Sequence, residues 1–304
     1  MLMSELNSVS VIIPTRNRPE MLPSAVASIW AQTILPTEII IVNDASTISY
    51  DETIEKLKQE SPIPIRYQKI EQSLGPSNTR NTGVNLAQGD ILMFLDDDDI
   101  WLRRKIANQL EIFQQNTDVG LVYAARQAVD EKGNILFNIK PKLAGNIYKE
   151  MLQKNHVGIT SSVAVKKELF IEAGGFDVEI PVREDYELWL RLSQVTAIAF
   201  DPNATVKWTV HSQPRKQTSS KPEIYELAVE KILTKYEKDI KALPFKQARS
   251  AYASHYTLIA DKYLLTGSPR KYWYVLKSLL QYPSVAALAR LLPYSLYLRL
   301  RKNA

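Results

Sequence analysis

The chain has 304 residues but no cysteine, and this absence excludes disulfides, thiolate nucleophiles and cysteine-ligated zinc sites. No run of about 18 uninterrupted apolar residues occurs, so we expect no membrane-spanning helix. Residues 1–8 have neither a basic start nor an apolar stretch, and we therefore expect no signal peptide. The net charge is only +5, which gives no reason to expect nucleic acid as a partner. The 45% hydrophobic content predicts a globular protein with a sizeable core.

Acidic residues are absent after Asp261, although that stretch contains eight basic residues among tyrosines, a tryptophan and many leucines. This combination is typical of a surface that contacts an anionic membrane. A helical subdomain that buries the aromatic rings in its own core explains the same composition, and the sequence leaves both interpretations open. The basic residues are Lys262, Arg270, Lys271, Lys277, Arg290, Arg299, Arg301 and Lys302.

Apolar, β-branched stretches alternate with helical periodicity in the first half of the chain, and this alternation predicts βαβ units and a parallel sheet. Beyond Pro222 the pattern is helical throughout. We therefore predict an α/β domain over residues 1–220 and a helical, basic and aromatic C-terminal extension over residues 221–304. The predicted strands span residues 8–13, 38–42, 65–70 and 90–95, and the predicted helices between them span residues 18–33, 51–60 and 77–87.

Four consecutive aspartates, Asp96 to Asp99, follow the apolar run 91–95. Adjacent carboxylates repel one another, and a hard divalent cation relieves that repulsion because it prefers oxygen ligands. In an extended segment Asp96 and Asp98 point to the same side, so we predict that they share one metal and the diphosphate bound to it. The alternative is an acidic turn that caps a helix beginning near Trp101, which is the role expected for Asp99.

Polar clusters follow three of the predicted strands, at residues 14–18, 43–46 and 96–99. Ligands of parallel sheets bind at the carboxyl ends of the strands, so these clusters predict one binding site. Asp44 can accept hydrogen bonds from a nucleotide base, or it can close the strand as an Asx-turn. Arg80, in a stretch bounded by two glycines, can neutralise a phosphate.

Two further candidates lie in the second half of the chain. Glu184 and Asp185 open a predicted helix, where a carboxylate serves either as a general base or as a cap. His211 follows a late strand and can complete a metal site or contact a phosphate. His156 and His255 lack a comparable context, and we interpret both as structural.

Taken in order, these motifs resemble the inverting family 2 glycosyltransferases over roughly residues 8–215. The matching segments are VIIPTRNR at residues 11–18, IVNDAS at 41–46, the glycine-bounded 75–83, FLDDDD at 94–99, GGFD at 174–177 and EDYELWLR at 184–191.

The resemblance implies a GT-A fold, a Rossmann-like, mostly parallel sheet with flanking helices, and a DXD motif that binds a divalent metal, Mn²⁺ or Mg²⁺. Carried over onto this chain, it places Pro14, Thr15, Arg16, Arg18, Asp44, Arg80, Asp96 and Asp97 at the donor nucleotide, Asp98 and His211 at the metal, Asp185 as the catalytic base, and Ser161, Gly175, Phe176, Asp177 and Glu184 on the acceptor side.

The implied reaction is transfer of one sugar from a nucleotide-sugar, a UDP-sugar by default, to a hydroxyl of a saccharide or lipid-linked acceptor. The Gln-x-x-Arg-Trp signature of the processive synthases is absent, which favours a single transfer over polymer extrusion. The implied role is cell-surface polysaccharide, lipopolysaccharide or glycolipid biosynthesis. The expected location is the cytoplasm, with peripheral contact at the inner face of the plasma membrane through the extension.

Two other functions fit parts of the pattern. A nucleotidyltransferase also uses acidic metal ligands on an α/β sheet, but it typically needs a glycine-rich loop after the first strand, and residues 14–18 contain no glycine. A non-catalytic protein that binds nucleotide-sugars is the second alternative, which the presence of both Asp98 and Asp185 disfavours.

Overall fold

The computed structural model describes residues 8–211 and 221–292, and within these ranges nine strands form one sheet. The strands are β1 (Val9–Thr15), β2 (Glu38–Asp44), β3 (Ile65–Ile70), β4 (Ile91–Phe94), β5 (Ile100–Trp101), β6 (Val119–Val129), β7 (Ile135–Ile139), β8 (Val163–Lys166) and β9 (Ala197–Thr209). The helices are α1 (Leu22–Trp30), α2 (Asp51–Glu60), α3 (Pro76–Leu86), α4 (Lys105–Gln115), α5 (Tyr148–Gln153), α6 (Lys167–Glu172), α7 (Glu184–Val195), α8 (Pro222–Lys235), α9 (Glu237–Ala242), α10 (Phe245–Leu265), α11 (Arg270–Gln281) and α12 (Val285–Ala289).

The sheet has the strand order β3-β2-β1-β4-β8-β6-β9-β5, with β7 paired to β6. Strands β1 to β4 are parallel. Because β8 is antiparallel to both β4 and β6, β6 points in the same direction as β4, and β9 is parallel to β6. The carboxyl ends of six strands therefore lie at one edge. The predicted α/β class, mostly parallel sheet and C-terminal helices are confirmed.

The central strands are buried on both faces, which explains their nearly continuous apolar sequences. In β1, Val11 lies opposite Ile39 of β2 on one side and Met93 of β4 on the other, and all three side chains are fully buried. Phe94 at the end of β4 belongs to a cluster of four aromatic rings, whose contacting pairs have centroids 5.3 to 6.3 Å apart. The rings are those of Phe94, Phe170, Phe176 and Trp189.

The segment after the aspartates differs from the prediction. No helix begins near Trp101, because Ile100 and Trp101 form β5 and pair with β9, and α4 begins only at Lys105 without a side-chain cap. The late strand that was expected before His211 is the long strand β9, Ala197–Thr209. A local pattern cannot reveal a two-residue strand whose partner lies about a hundred positions away in the sequence.

The described residues divide into two compact units, one comprising 8–147, 156–178 and 184–211, and the other 148–155, 179–183 and 221–292. We call these the sheet unit and the helical unit. The predicted domain boundary at residue 220 stays a prediction, since it falls outside the described residues. None of the described helices is long and apolar enough to cross a membrane.

The helical unit uses some of its aromatic residues as core and leaves others on its surface. Tyr263 and Tyr274 are buried and stack with centroids 5.9 Å apart, and both hydroxyls donate hydrogen bonds to Glu226. On α11, Tyr272 and Trp273 are exposed. The interpretation of the aromatic rings as a core therefore holds for part of this unit, and contact with a membrane stays a prediction.

Candidate functional site

The loops that follow β1 and β2 are tied to each other at the carboxyl edge of the sheet. The Asn17 N–H donates to Ser46 Oγ over 2.8 Å, and the Thr47 N–H donates to Asn17 Oδ1 over 2.8 Å. Asn17 and Ala45 have positive φ angles of 53° and 50°, a conformation that is uncommon outside glycine. Pro14 stays within β1, opposite Val42. These contacts hold the predicted nucleotide-binding residues on a fixed backbone.

Asp44 ends β2 and is buried. Its carboxylate accepts hydrogen bonds from Ser73 Oγ over 2.8 Å and from the Leu74 N–H over 3.1 Å. The exposed guanidinium of Arg16 lies 3.8 Å from the same carboxylate. Asp44 therefore fixes the loop before α3, and a ligand that contacts it must share or replace these bonds.

The aspartate run forms a turn, in which the Asp99 N–H donates to Asp96 O over 3.0 Å. The prediction that Asp96 and Asp98 extend to the same side is wrong for this reason. Asp96 contacts Arg80, whereas Asp98 contacts Arg18 and His211. The turn delivers neighbouring carboxylates to separate cations.

Asp97 is fully buried and bonded to the first strand. Thr15 Oγ1 donates to its Oδ2 over 2.7 Å, and its other oxygen forms an ion pair with Arg18. Burial raises the pKa of the Asp97 carboxyl to about 7, although Arg18 and the Thr15 hydrogen bond act in the opposite direction. Tyr50 completes this cluster, because its hydroxyl lies 2.9 Å from Thr15 Oγ1 and accepts the Arg18 N–H over 2.8 Å.

Asp98 lies between two basic side chains. Its Oδ2 accepts from Arg18 over 2.8 Å and lies 2.9 Å from His211 Nε2. Burial alone would raise the pKa of Asp98, but Arg18 and His211 outweigh it and hold the pKa below its ordinary value. His211 Nδ1 lies 3.3 Å from Glu131 Oε1, a carboxylate that the sequence patterns did not single out.

Asp99 is buried and does not cap a helix. Its Oδ1 accepts the backbone N–H of Thr209 over 3.1 Å, and the Thr209 hydroxyl donates to Asp98 O. Burial raises the pKa of the Asp99 carboxyl well above its ordinary value. The fourth aspartate thus joins the turn to the end of β9, shortly before His211.

Arg80 on α3 joins two of the sequence motifs. Its guanidinium donates to Asp96 Oδ1 over 2.8 Å and to Glu184 Oε1 over 2.9 Å, and it lies 5.5 Å from the centre of the Phe176 ring. Although burial opposes the charge, Asp96 and Glu184 raise the pKa of Arg80 above its ordinary range. The start of α7, with Asp185, is thereby held beside the aspartate turn.

Ser161 contacts both the aspartate turn and β5, because its Oγ accepts the Asp96 N–H over 3.1 Å and its carbonyl accepts Trp101 Nε1–H over 2.9 Å. On the other side of the turn, Asn81 holds Phe176 by two bonds, donating to its carbonyl over 2.8 Å and accepting its N–H over 2.9 Å.

Gly175 has a φ of 68°, and a Cβ there would lie 2.9 Å from Asn81 Oδ1. This position therefore favours glycine. The carbonyl of the neighbouring Asp177 accepts from Ser77 Oγ over 3.3 Å. These contacts place the predicted acceptor-side residues of the GGFD segment against α3, which also carries Arg80.

The residues around Asp98 include ligand types that a divalent cation takes, one carboxylate and one imidazole. No group of three or more His, Asp or Glu side chains in the described part of the chain is arranged as a complete metal site. Asp98 Oδ2 nevertheless lies 2.9 Å from His211 Nε2, so one oxygen and one nitrogen could serve as ligands if a cation displaced the Arg18 guanidinium from the same oxygen. Mg²⁺ is usually held by only one or two carboxylates together with substrate phosphates, so two protein ligands suit a metal that arrives with a diphosphate.

The family model named Glycosyl transferase family 2 matches residues 10–174, which is more than half of the chain. The chain belongs to this family. It is also similar to an uncharacterized glycosyltransferase of Haemophilus influenzae, at 26% identity over 268 residues that cover 88% of each chain. Family and relatives together make this chain a glycosyltransferase, as the sequence motifs predicted.

Two solved structures share the fold. S. aureus TarS in complex with UDP-GlcNAc superposes with a TM-score of 0.60 at 16% identity, covering 97% of this chain and 92% of that one. The mannosyltransferase PcManGT from Pyrobaculum calidifontis, in complex with GDP-Man and Mn²⁺, gives 0.58 at 17% identity, covering 93% and 78%. At these identities the likeness concerns the fold, and it confirms the predicted GT-A architecture.

Proposed function

We propose that this chain is a metal-dependent, inverting glycosyltransferase that moves one hexose from a nucleotide-sugar to an acceptor hydroxyl. The observation that carries the proposal is the Arg80 bridge, which bonds Asp96 over 2.8 Å and Glu184 over 2.9 Å. It holds the first residues of α7 close to the aspartates that would face the diphosphate. A transferase needs a base and a leaving-group site on opposite sides of the anomeric carbon, and this bridge joins one segment of each kind.

The donor is assigned to the carboxyl ends of β1, β2 and β4. Asp44 accepts hydrogen bonds from the base, and Arg16 and Arg18 supply positive charge toward the diphosphate. Asp97 was predicted to contact the ribose, but it is buried against Thr15 and Arg18, so we assign it the role of positioning Arg18. Asp98 and His211 would hold Mn²⁺ or Mg²⁺, which would supply charge to stabilise the departing diphosphate. Similar proteins bind UDP-GlcNAc and GDP-Man, and we propose a UDP-sugar as the first donor to test.

Asp185 is assigned as the base. Its carboxylate takes the proton of the acceptor hydroxyl, and that oxygen attacks the anomeric carbon from the face opposite the nucleotide. One carbon–oxygen bond forms while the bond to the diphosphate breaks, so the configuration inverts. The acceptor-side residues of this proposal are Ser161, Gly175, Phe176, Asp177 and Glu184.

We also propose that the helical unit attaches the enzyme to an anionic membrane surface at the inner face of the plasma membrane. On α11, Tyr272, Trp273, Leu276 and Leu280 are all exposed and recur at a spacing that places them on one helix face. Each basic residue near an anionic bilayer adds about 1 kcal/mol, and no acidic residue follows Asp261. A saccharide or lipid-linked acceptor of cell-surface polysaccharide, lipopolysaccharide or glycolipid biosynthesis suits such a location.

A thermal-shift screen of UDP- and GDP-sugars, with and without Mn²⁺, tests the proposal. A donor present at about 100 times its Kd stabilises the fold by roughly 2.7 kcal/mol, so the correct donor should raise Tm only when the metal is present. The same donors are then assayed for slow hydrolysis and for transfer to saccharide acceptors. A folded protein that shows a metal-dependent shift but neither hydrolysis nor transfer would instead be a non-catalytic nucleotide-sugar-binding protein.

A further inference from the structure

Arg126 is a half-buried arginine that forms no ion pair with any carboxylate in the described part of the chain. Its NH1 donates to Val157 O over 3.2 Å, its Nε is buried without a hydrogen-bond partner, and no acidic side chain among the described residues forms an ion pair with it. Arg18 and Arg80, in contrast, each contact two carboxylates. A buried charge without an ion pair is unfavourable. Binding an anionic ligand would therefore stabilise the Arg126 guanidinium.

Its place in the sheet brings Arg126 to the edge that carries the candidate site. It lies three residues before the end of β6 (Val119–Val129), a strand that points in the same direction as β4. Asp185 is close enough to act electrostatically on Arg126: burial lowers the pKa of Arg126, and Asp185 acts in the opposite direction. The unpaired cation therefore lies near the proposed base.

The loop beside Arg126 leaves space for the guanidinium. Gly158 has a φ of 100°, and a Cβ at this position would lie 2.3 Å from an Arg126 nitrogen. The Gly158 carbonyl accepts Trp189 Nε1–H over 3.0 Å, which fixes the loop to α7, the helix that carries Asp185 in its first turn. The backbone angle favours glycine at this position, and the missing Cβ leaves room for the Arg126 guanidinium where it lies.

We propose that Arg126 binds an oxyanion of the acceptor, a phosphate ester or a carboxylate, beside the hydroxyl that receives the sugar. The inference rests on the proposed glycosyl transfer and gives its acceptor a chemical class. A guanidinium forms paired hydrogen bonds with either anion. Neutralising Arg126 also weakens its electrostatic pull on Asp185, so an anionic acceptor leaves the base more basic than a neutral acceptor does.

The test measures binding of matched probes to protein loaded with Mn²⁺ and the nucleotide selected by thermal shift. Ligand-observed NMR compares sn-glycerol 3-phosphate with glycerol, and glucuronate with glucose, which separates phosphate from carboxylate. The wild type should prefer at least one anion by about tenfold or more, since hydrogen bonds to charged groups are the strong ones. Arg126→Gln should abolish that preference and Arg126→Lys should retain part of it. Arg104→Gln, which removes one exposed positive charge, is the matched control and should change nothing.

Four results overturn the inference: a wild type without preference for either anion, an Arg126→Gln variant that keeps the preference, an Arg104→Gln variant that loses it equally, or an Arg126→Gln variant that loses nucleotide affinity, which would assign Arg126 to the donor. Arg126→Met should leave Tm unchanged or raise it, because no ion pair is lost. A large fall in Tm would make Arg126 structural. Failure of the wild type to bind any nucleotide with Mn²⁺ counts against the proposed transferase instead, and that measurement is independent of the anion probes.

Discussion

The sheet unit and the helical unit differ in where their charged residues lie and in what those residues contact. In the sheet unit, carboxylates are gathered inside one edge and matched with buried cations, as in the contacts of Arg80 with Asp96 and Glu184. In the helical unit, basic residues stand beside exposed apolar side chains such as Trp273 and Leu280. Matched internal charge can exchange partners with a small, charged ligand, whereas an exposed surface of apolar and basic side chains attracts a large anionic partner. Reaction and attachment should therefore be separable by substitution.

The largest effect is expected from Asp185→Asn in the sheet unit. Without a base to take the acceptor proton, turnover should fall by about 100- to 10,000-fold. Donor affinity and vesicle binding should be unchanged, because the substitution alters neither the aspartate turn nor the helical unit. Steady-state kinetics with the donor found by thermal shift measures the effect, and Asp118→Asn on the exposed surface is the control. Near-normal turnover in Asp185→Asn would assign the base to another residue.

Asp98→Ala should remove the metal from the same unit. Loss of groups that merely orient metal ligands already lowers metal affinity by about 10- to 100-fold, so loss of a ligand should exceed about 100-fold. Titration of Mn²⁺ in the presence of nucleotide, followed by electron paramagnetic resonance, measures it, with exposed Asp90→Ala as the control. If Mn²⁺ binds Asp98→Ala as tightly as the wild type, Asp98 is not a ligand.

Substitutions on the exposed face of α11 should weaken membrane binding and leave turnover unchanged, the reverse of the effects expected for Asp185→Asn. Trp273→Ser combined with Leu280→Ser should weaken binding to anionic vesicles by about tenfold or more, because each side chain contributes apolar area to the bilayer interface. Turnover on a soluble acceptor should not change. The matched control, Leu136→Ser with Val195→Ser, removes exposed apolar side chains from the sheet unit. Reduced vesicle binding in the control, or unchanged binding in the α11 variant, would contradict the proposal that the helical unit binds the membrane while the sheet unit carries out the reaction.

The amino-acid sequence predicted the sheet because its strands are buried on both faces and therefore read as apolar runs followed by polar loops. The same runs placed Asp44, Asp96 and Thr15 at the carboxyl edge. What the sequence could not supply was the pairing of these side chains. The Arg80 bridge to Glu184 joins residues 104 positions apart, and no local spacing encodes it.

Two other features of the site could not be predicted from the sequence, because each depends on contacts between residues distant in the chain. In the turn at Asp96 to Asp99, the Asp99 carboxylate accepts a hydrogen bond from the backbone N–H of Thr209 at the end of β9. The aspartate sequence alone does not predict this distant hydrogen-bond donor. Arg126 lies in a strand of ordinary composition, and what distinguishes it is that its buried Nε has no hydrogen-bond partner and that no described carboxylate forms an ion pair with it. A missing ion-pair partner can be recognised only from a structure that gives the positions of the surrounding side chains.

Lys105 is an exception within the sheet unit, and it gives the smallest expected effect. It is fully buried without an ion pair among the described residues, and its Nζ lies 4.5 Å from the centre of the Trp101 ring and 2.5 Å from Gln109 Oε1. Burial lowers the pKa of Lys105 to about 7, although Asp201 acts in the opposite direction. In the unfolded chain its pKa is near 10.5. Between these values the unfolded state binds the extra proton, so stability rises with pH from about 7 to about 10.5.

The slope within that window is at most about 1.4 kcal/mol per pH unit, and Lys105→Met should remove it. Urea unfolding at several pH values between 6 and 10 measures the difference in unfolding free energy between the wild type and Lys105→Met. Exposed Lys56→Met should keep the wild-type slope. Equal slopes in the wild type and Lys105→Met would mean that Lys105 keeps its proton when buried, with a compensating charge or water beside it. Lys105, the buried lysine among the described residues of the sheet unit, would then be compensated like Arg80, and the contrast with the helical unit would be sharper.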